Sequence, residues 1–411
     1  MKFKMLVICI MTLLFVACGK KEETAKNTLT IFNLKPEIDP ALKKYAADYE
    51  KEHGIKITVK SVGGGADYSG QLKAEFQSGN EPDIFVIQGE NDFKNWEHKI
   101  ADLSSEKWAS DTDYAFKKDG KTYGFPYSIE GYGIIYNKGI LDKAGIDVNT
   151  LNTFDGYQKA FEKIDSMKSE LGISSVISIA AGPMMTWLTG SQNFNAYLSN
   201  GVKSEDLTFV NDVLAGKTDS KRMSEYADWI ELLFKYADDK VLNTGSYDEQ
   251  VNFFKNGKSA FIAQGNWIVP NLVGVNFEMG IAPMGSKKEV TDGIFMAAPS
   301  FYAINKDSTQ SQVAKDFLNN MVSTQRGQDF IVKDAQMVPA FKSINATFDS
   351  SLNNSLISWI KKGNNYNWNH YYMPDGFCNN TLGSIYSQFA NKQINKEEYV
   401  KLMTEAIQKI K

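Results

Sequence analysis

Cysteine is nearly absent: the 411-residue chain holds three, Cys9, Cys18 and Cys378. The first two fall in and at the end of an N-terminal apolar run, so Cys378 stands alone in the body of the chain. No internal disulfide can staple such a chain, and its stability must come from its core. A lone Cys378 would need an activated His beside it to act as a nucleophile, and a buried inert thiol is the expectation. Histidine occurs only at His53, His98 and His370, which leaves little to support a hard or transition metal. Arginine occurs only at Arg222 and Arg326, and the net charge is −4. That balance excludes a basic surface for nucleic acid or a polybasic membrane patch. Neither G-x-S-x-G nor H-E-x-x-H is present; Gly257-Lys258-Ser259 ends like a phosphate-binding loop, but Asn252 stands where its leading Gly belongs.

The N-terminus carries a positive pattern. Lys2 and Lys4 precede the apolar run Met5–Val16, which stops at Ala17-Cys18-Gly19-Lys20. A charged start, a short hydrophobic segment and a small residue describe an export signal. The run is too short for a bilayer core, which needs about 20 helical residues. Phe15-Val16-Ala17-Cys18 resembles a bacterial lipobox, with Phe15 where Leu is usual. The resemblance implies cleavage before Cys18 and diacylation of Cys18. Two acyl chains anchor stably where one does not, so the expected location is the extracytoplasmic face of the cell membrane, lipid-anchored. Residues 1–17 then form the signal peptide and 18–27 a Lys/Glu-rich tether.

The remainder exceeds the about 250–300 residues at which single cores stop growing, so at least two domains are expected. Composition is that of a globular protein, 43% hydrophobic and 12% aromatic. Leu29–Phe32 reads as a strand. Asp39-Pro40 opens a helix, with Asp39 read as the capping carboxylate, and Leu42, Tyr45, Ala46 and Tyr49 lie on one face before Gly54. Ile55, Ile57 and Val59 alternate as a second strand, and Ile84–Ile87 is a third. Strands alternating with helices at this spacing imply right-handed crossovers and a parallel sheet. Ligands gather beyond the carboxyl ends of such strands, where Gly63-Gly64-Gly65 and Gln88-Gly89-Glu90 stand. Ile134–Tyr136, Val176–Ala180 and Phe301–Ile304 read as further strands, and Lys396–Ile410 as a helix.

Three segments carry a resemblance that spans the mature chain. They are Gly120-Lys121-Thr122-Tyr123-Gly124-Phe125-Pro126 continuing to Tyr136-Asn137-Lys138, Phe253-Phe254-Lys255-Asn256-Gly257-Lys258-Ser259-Ala260 leading into Gly265-Asn266-Trp267, and Ala303-Ile304-Asn305-Lys306-Asp307 followed by a helix to Gln325-Arg326-Gly327. Together they resemble the family-1 extracellular solute-binding proteins, receptor subunits of carbohydrate ABC importers. The resemblance implies a two-lobed α/β periplasmic-binding-protein-like fold that closes on ligand like a flytrap. Lobe one would be 28–131 plus 284–328 and lobe two 132–283 plus 329–411. The implied partners are a small carbohydrate and the permease subunits, with a monomeric receptor, no cofactor, no metal and no catalysis.

A sugar presents apolar C–H faces, which aromatic rings cover, and a rim of hydroxyls that carboxylates and amides satisfy. Trp267 is the leading stacking candidate, with Asn266 beside it. Glu130 matches a position that accepts sugar hydroxyls in the family, and Glu90 past the third strand makes a similar claim. The stretch 364–377 holds Tyr366, Trp368, His370, Tyr371, Tyr372, Asp375 and Phe377 without helical or strand period; of these Trp368, Asp375 and Tyr371 are candidates for the site. Tyr68 and Trp187 complete the set. Three other readings stand beside the sugar receptor. A glycoside hydrolase would need two carboxyls about 5–10 Å apart, for which Glu90, Glu130 and Asp375 are available. A ferric-ion receptor would use Tyr371-Tyr372, and a polyamine or peptide receptor the same carboxylates.

Overall fold

A computed structural model describes residues 28–410. The signal peptide, Cys18 and the tether lie outside the described residues. Among those described are twelve strands: β1 (Thr28–Asn33), β2 (Lys56–Ser61), β3 (Ile84–Ile87), β4 (Phe116–Lys118), β5 (Lys121–Pro126), β6 (Glu130–Asn137), β7 (Ser175–Ser178), β8 (Ser259–Gly265), β9 (Met279–Ala282), β10 (Ile294–Ala297), β11 (Phe301–Ile304) and β12 (Asn365–Tyr366). They form two sheets. The first runs β2-β1-β3-β11-β5-β4; the second runs β12-β10-β6-β8-β7, with β9 also paired to β6.

In the first sheet β1 lies parallel to β2 and β3, from Thr28↔Lys56 to Asn33↔Ser61 and at Ile31↔Ile84. Strand β3 is wholly buried, whereas β2 at the edge alternates exposed and half-buried residues, as one-sided burial requires. The helix Asp39–His53 covers this sheet with Leu42, Tyr45, Ala46 and Tyr49 and stops at Gly54, whose φ of 69° closes it. Its cap is Ile38, not Asp39. The Asp39 carboxylate instead accepts from Ser61 Oγ at 2.7 Å and pairs with Lys43 at 2.8 Å, tying the helix to β2. Asp83 braces the same sheet: Thr30 N and Oγ1 both donate to it at 2.7 Å.

The chain passes between the sheets three times. It crosses from β5 in the first sheet to β6 in the second, and returns from β10 in the second to β11 in the first. Residues 294–297, which the sequence groups with lobe one, therefore pair in the second sheet, where Phe295 opposes Tyr132. The last crossing also comes later than expected. Phe330 stacks on Tyr45 with ring centres 4.9 Å apart, Thr112 Oγ1 donates to the Ala340 carbonyl at 2.6 Å and Ser343 N to Asp111 at 3.1 Å. Only at Ser351, whose hydroxyl accepts from Met279 N at 2.8 Å, has the chain reached the second sheet. A strand's side-chain period reveals that it is a strand but not which of two sheets it joins.

Candidate functional site

A cleft of about 440 Å³ opens between the lobes. Its first-lobe wall comes from the loops beyond β1, β2 and β3, which supply Lys35 and Glu37, Gly63–Gly65, and Gln88 respectively. These are the carboxyl ends of parallel strands, where open α/β sheets gather ligands. The second-lobe wall is aromatic. Trp267 follows β8 directly, and its indole N–H donates to Gln264 Oε1 at 2.9 Å. Tyr132 stacks behind Trp267 at 5.9 Å and 16°, Trp368 meets it edge-on at 5.9 Å, and Trp187 lies 6.2 Å away. Rings held in this way present a stiff apolar surface at little entropic cost.

Three polar atoms on that wall have no protein partner. Trp187 Nε1, Trp368 Nε1 and Gln192 Oε1 are buried and unpaired, and all three residues line the cleft. An unsatisfied buried donor or acceptor costs about 1–3 kcal/mol. Trp187 and Gln192 sit on a π-helical turn, Trp187–Gln192, packed against a second such turn at Phe377–Leu382. Turns of this kind are rare and recur at functional sites. The pair approach so closely at Gly190 that a Cβ there would lie 2.1 Å from the Cys378 carbonyl oxygen. Ser191 Oγ donates to Asn379 across the same contact.

The floor of the cleft is ionic. Lys35 Nζ lies 2.5 Å from Glu130 and 3.5 Å from Glu37, with all three side chains buried. Burial works to lower the Lys35 ammonium, but the two carboxylates outweigh it and raise it overall. Burial raises the Glu37 carboxyl, with Lys35 only partly offsetting that effect. His370, also lining the cleft, is pushed down to about 3 by burial and stays neutral; its Nδ1 lies 2.8 Å from Asn195.

The lobes touch across the mouth. Gln88 Nε2 donates to the Tyr371 hydroxyl at 3.4 Å and Asn95 Nδ2 to Asp375 at 2.9 Å. Gly89, with φ of 69°, admits Tyr371 so closely that an added Cβ would lie 2.6 Å from the tyrosine's Cβ. These contacts join the two lobes at the rim of the cleft.

Residues 44–355 match the bacterial extracellular solute-binding protein family. The chain belongs to that family. Among its relatives are the melibiose/raffinose/stachyose-binding protein MelE of Bacillus subtilis, 26% identical over 342 residues covering 76% of this chain and 75% of MelE. The multiple sugar-binding protein of Streptococcus mutans is 24% identical over 93% of each chain. Among solved structures, a Bacillus licheniformis sugar transporter protein in complex with stachyose superposes with a TM-score of 0.75 at 21% identity, covering 93% of this chain and 100% of that one. The raffinose complex of RafE gives 0.74 at 17%, over 93% and 99%. These likenesses carry the two-lobed fold of a solute-binding protein, and the relatives are binding proteins, not enzymes. No helix among the described residues is long and apolar enough to cross a membrane.

In this solute-binding protein the cleft gathers Trp267, Glu130, Trp368, Trp187, Tyr68 and Tyr371. Tyr68 contributes its ring, because its hydroxyl is already engaged by Val86 N at 2.7 Å and the Val86 carbonyl at 3.0 Å. Three candidates lie elsewhere. Asn266 turns to the hinge: its Oδ1 accepts from Gly131 N at 2.9 Å and its Nδ2 donates to Asn353 at 3.1 Å. Glu90 faces outward onto Lys118 at 2.6 Å. Asp375 is held at the rim by Asn91, Asn95 and, at 3.6 Å, Lys73. Adjacent positions in a chain point in different directions, so a neighbour of a site residue need not share its site.

Those placements bear on the carboxylate and phenolate pairs of the other readings. Glu90 and Asp375 do not reach the cleft, and Glu130 and Glu37 converge on one ammonium. Tyr371 and Tyr372 diverge: the first lines the cleft and the second is 40% exposed. No group of three or more His, Cys, Asp or Glu able to hold a metal occurs among the described residues. Cys378 is buried, and burial pushes its thiol up, as for an inert core residue. A larger hollow of about 790 Å³ lies away from the strand ends, and its Lys396 is already paired with Asp228 and Glu231 at 2.8 Å each.

Sequence reasoning missed Lys35, Glu37, Gln192 and Asn379, all of which line the cleft. Lys35 and Glu37 could have been found, since they follow the carboxyl end of β1 as Gly63–Gly65 follows that of β2. Gln192 and Asn379 had no local signal.

Proposed function

We propose that this protein captures a sugar or oligosaccharide between its lobes and delivers it unchanged to the permease of an ABC importer. One observation carries the reading: three tryptophans converge on a cleft in which two buried indole N–H groups and an amide oxygen have no protein partner. Rings cover the apolar faces of a pyranose, and its hydroxyls are both the donors and the acceptors those orphans require. The names of MelE and the Streptococcus mutans relative, and the bound stachyose and raffinose of the structural neighbours, point to the same ligand class. Contacts from both walls supply the differential affinity that closure requires.

The proposed lobes follow the sheets: 28–128 plus 298–344 for the first, and 130–297 plus 350–410 for the second. Cys18 is proposed as the lipidated residue that holds a monomer at the membrane surface, with residues 18–27 as its tether. A thermal-shift and solution-scattering screen against raffinose, stachyose, maltotriose and xylotriose tests the binding reading. At about a hundredfold excess over Kd, binding adds about 2.7 kcal/mol, read as a rise of several degrees in Tm together with a smaller radius of gyration. A flat response to every sugar overturns the reading.

A further inference from the structure

The charged groups lining the cleft are unequal in number. Lys35 is the one lysine or arginine among the lining residues, while Glu37, Asp67 and Glu130 are carboxylates, and His370 is neutral. Lys35 is already committed to Glu130 at 2.5 Å, and Glu37 holds it only at 3.5 Å. Glu130 also accepts from Ser128 Oγ at 3.1 Å. Of the two buried carboxylates, Glu37 therefore has the more distant compensation. Independent of this cluster, Gln192 and Trp368 line the same cleft, each more than nine-tenths buried, and hold an unpaired oxygen and an unpaired N–H.

We propose that Lys35, Glu37 and Glu130 form a charge filter that admits neutral sugars, accepts a unit bearing an ammonium group, and rejects sugars bearing a carboxylate or phosphate. This rests on the carbohydrate reading and narrows it to a substrate class. The filter works because the three side chains are buried and held against one another. A ligand anion entering it meets an excess of negative charge with no free cation to pair with, and like-charge juxtaposition in a buried interface is strongly unfavourable. A neutral hydroxyl brings no charge to the floor and can donate to the Glu37 carboxylate, which Lys35 holds only at 3.5 Å. An ammonium supplies that bond and also restores charge balance. Glu37 is thus the residue that sets selectivity, and Glu130 the one that orients Lys35.

The experiment measures affinity by calorimetry for three matched series: raffinose and maltotriose, the same sugars oxidised at a primary hydroxyl to the carboxylate, and the same sugars carrying an amine at that carbon. The filter predicts that the carboxylates bind at least about a hundredfold more weakly than the neutral parents, while the amines bind as well as the parents or better. Glu37→Gln keeps the shape and removes the excess charge, so the neutral-to-carboxylate ratio should shrink about tenfold. Carboxylates that bind within threefold of the neutral sugars overturn the filter and leave the carbohydrate reading standing. A Glu37→Gln protein that keeps the full discrimination removes Glu37 from the role. If no member of any series binds, both proposals fall together.

Discussion

On the first-lobe wall of the cleft the polar groups are spoken for within the protein: Tyr68 is held by the backbone of Val86, and Lys35 by Glu130 and Glu37. On the second-lobe wall the rings are equally well packed, yet Trp187, Trp368 and Gln192 each leave a polar atom unpaired. One wall supplies fixed charge on loops at strand ends, and the other supplies aromatic area with unmet hydrogen bonds on turns and irregular segments. Neither wall by itself offers what a hydroxyl-rich guest needs. Closure matters because it brings the two chemistries to the same molecule, at contacts such as Gln88 with Tyr371.

Three substitutions break or sharpen that comparison. The largest effect is expected from Trp267→Ala, which removes the central ring touching Tyr132, Trp187 and Trp368. Calorimetry with the best sugar of the screen should show affinity falling by about a hundredfold or more, the cost of losing a central aromatic anchor. A protein that retains its affinity would mean that the second wall is core and not binding surface. Next comes Trp368→Phe, which keeps a ring and deletes the buried N–H that has no protein partner. Loss of one hydrogen bond to ligand predicts about a tenfold weaker Kd with little loss of unliganded stability. An unliganded protein that is destabilised to the same extent would mean that the N–H serves the fold. The smallest effect belongs to Glu90→Gln. Glu90 meets Lys118 at 2.6 Å outside the cleft, so affinity should change less than twofold and stability by less than about 1 kcal/mol, as for partly exposed ion pairs.

Much of the architecture was legible in the chain. The apolar run Ile84–Ile87, the face of the helix Asp39–His53 and the span Phe301–Ile304 all lie where their side-chain periods place them. Within the site, Trp267 and Trp368 were legible as rings with reason to meet a sugar, and both line the cleft. Asn266 and Asp375 were not. Each carries chemistry suited to a sugar hydroxyl, but one amide braces the hinge through Gly131 and Asn353, and the other side chain bridges the lobes at the rim. Residue type states what a group can do; it does not state which partner reaches it first.

The linear order of residues by itself pointed to an α/β chain of at least two domains, because period, composition and length are read from the chain alone. That the domains are two lobes facing a cleft came from the resemblance of three segments to a known family. Tertiary structure alone decided that residues 294–297 join the second sheet, and that Lys35 and Glu37 meet Glu130 on the cleft floor. It also decided that two π-helical turns far apart in sequence press Trp187, Gln192 and Asn379 into one wall. The reason is physical. Strand pairing and side-chain burial depend on groups that lie a hundred or more positions apart, and no short window of the chain contains both partners.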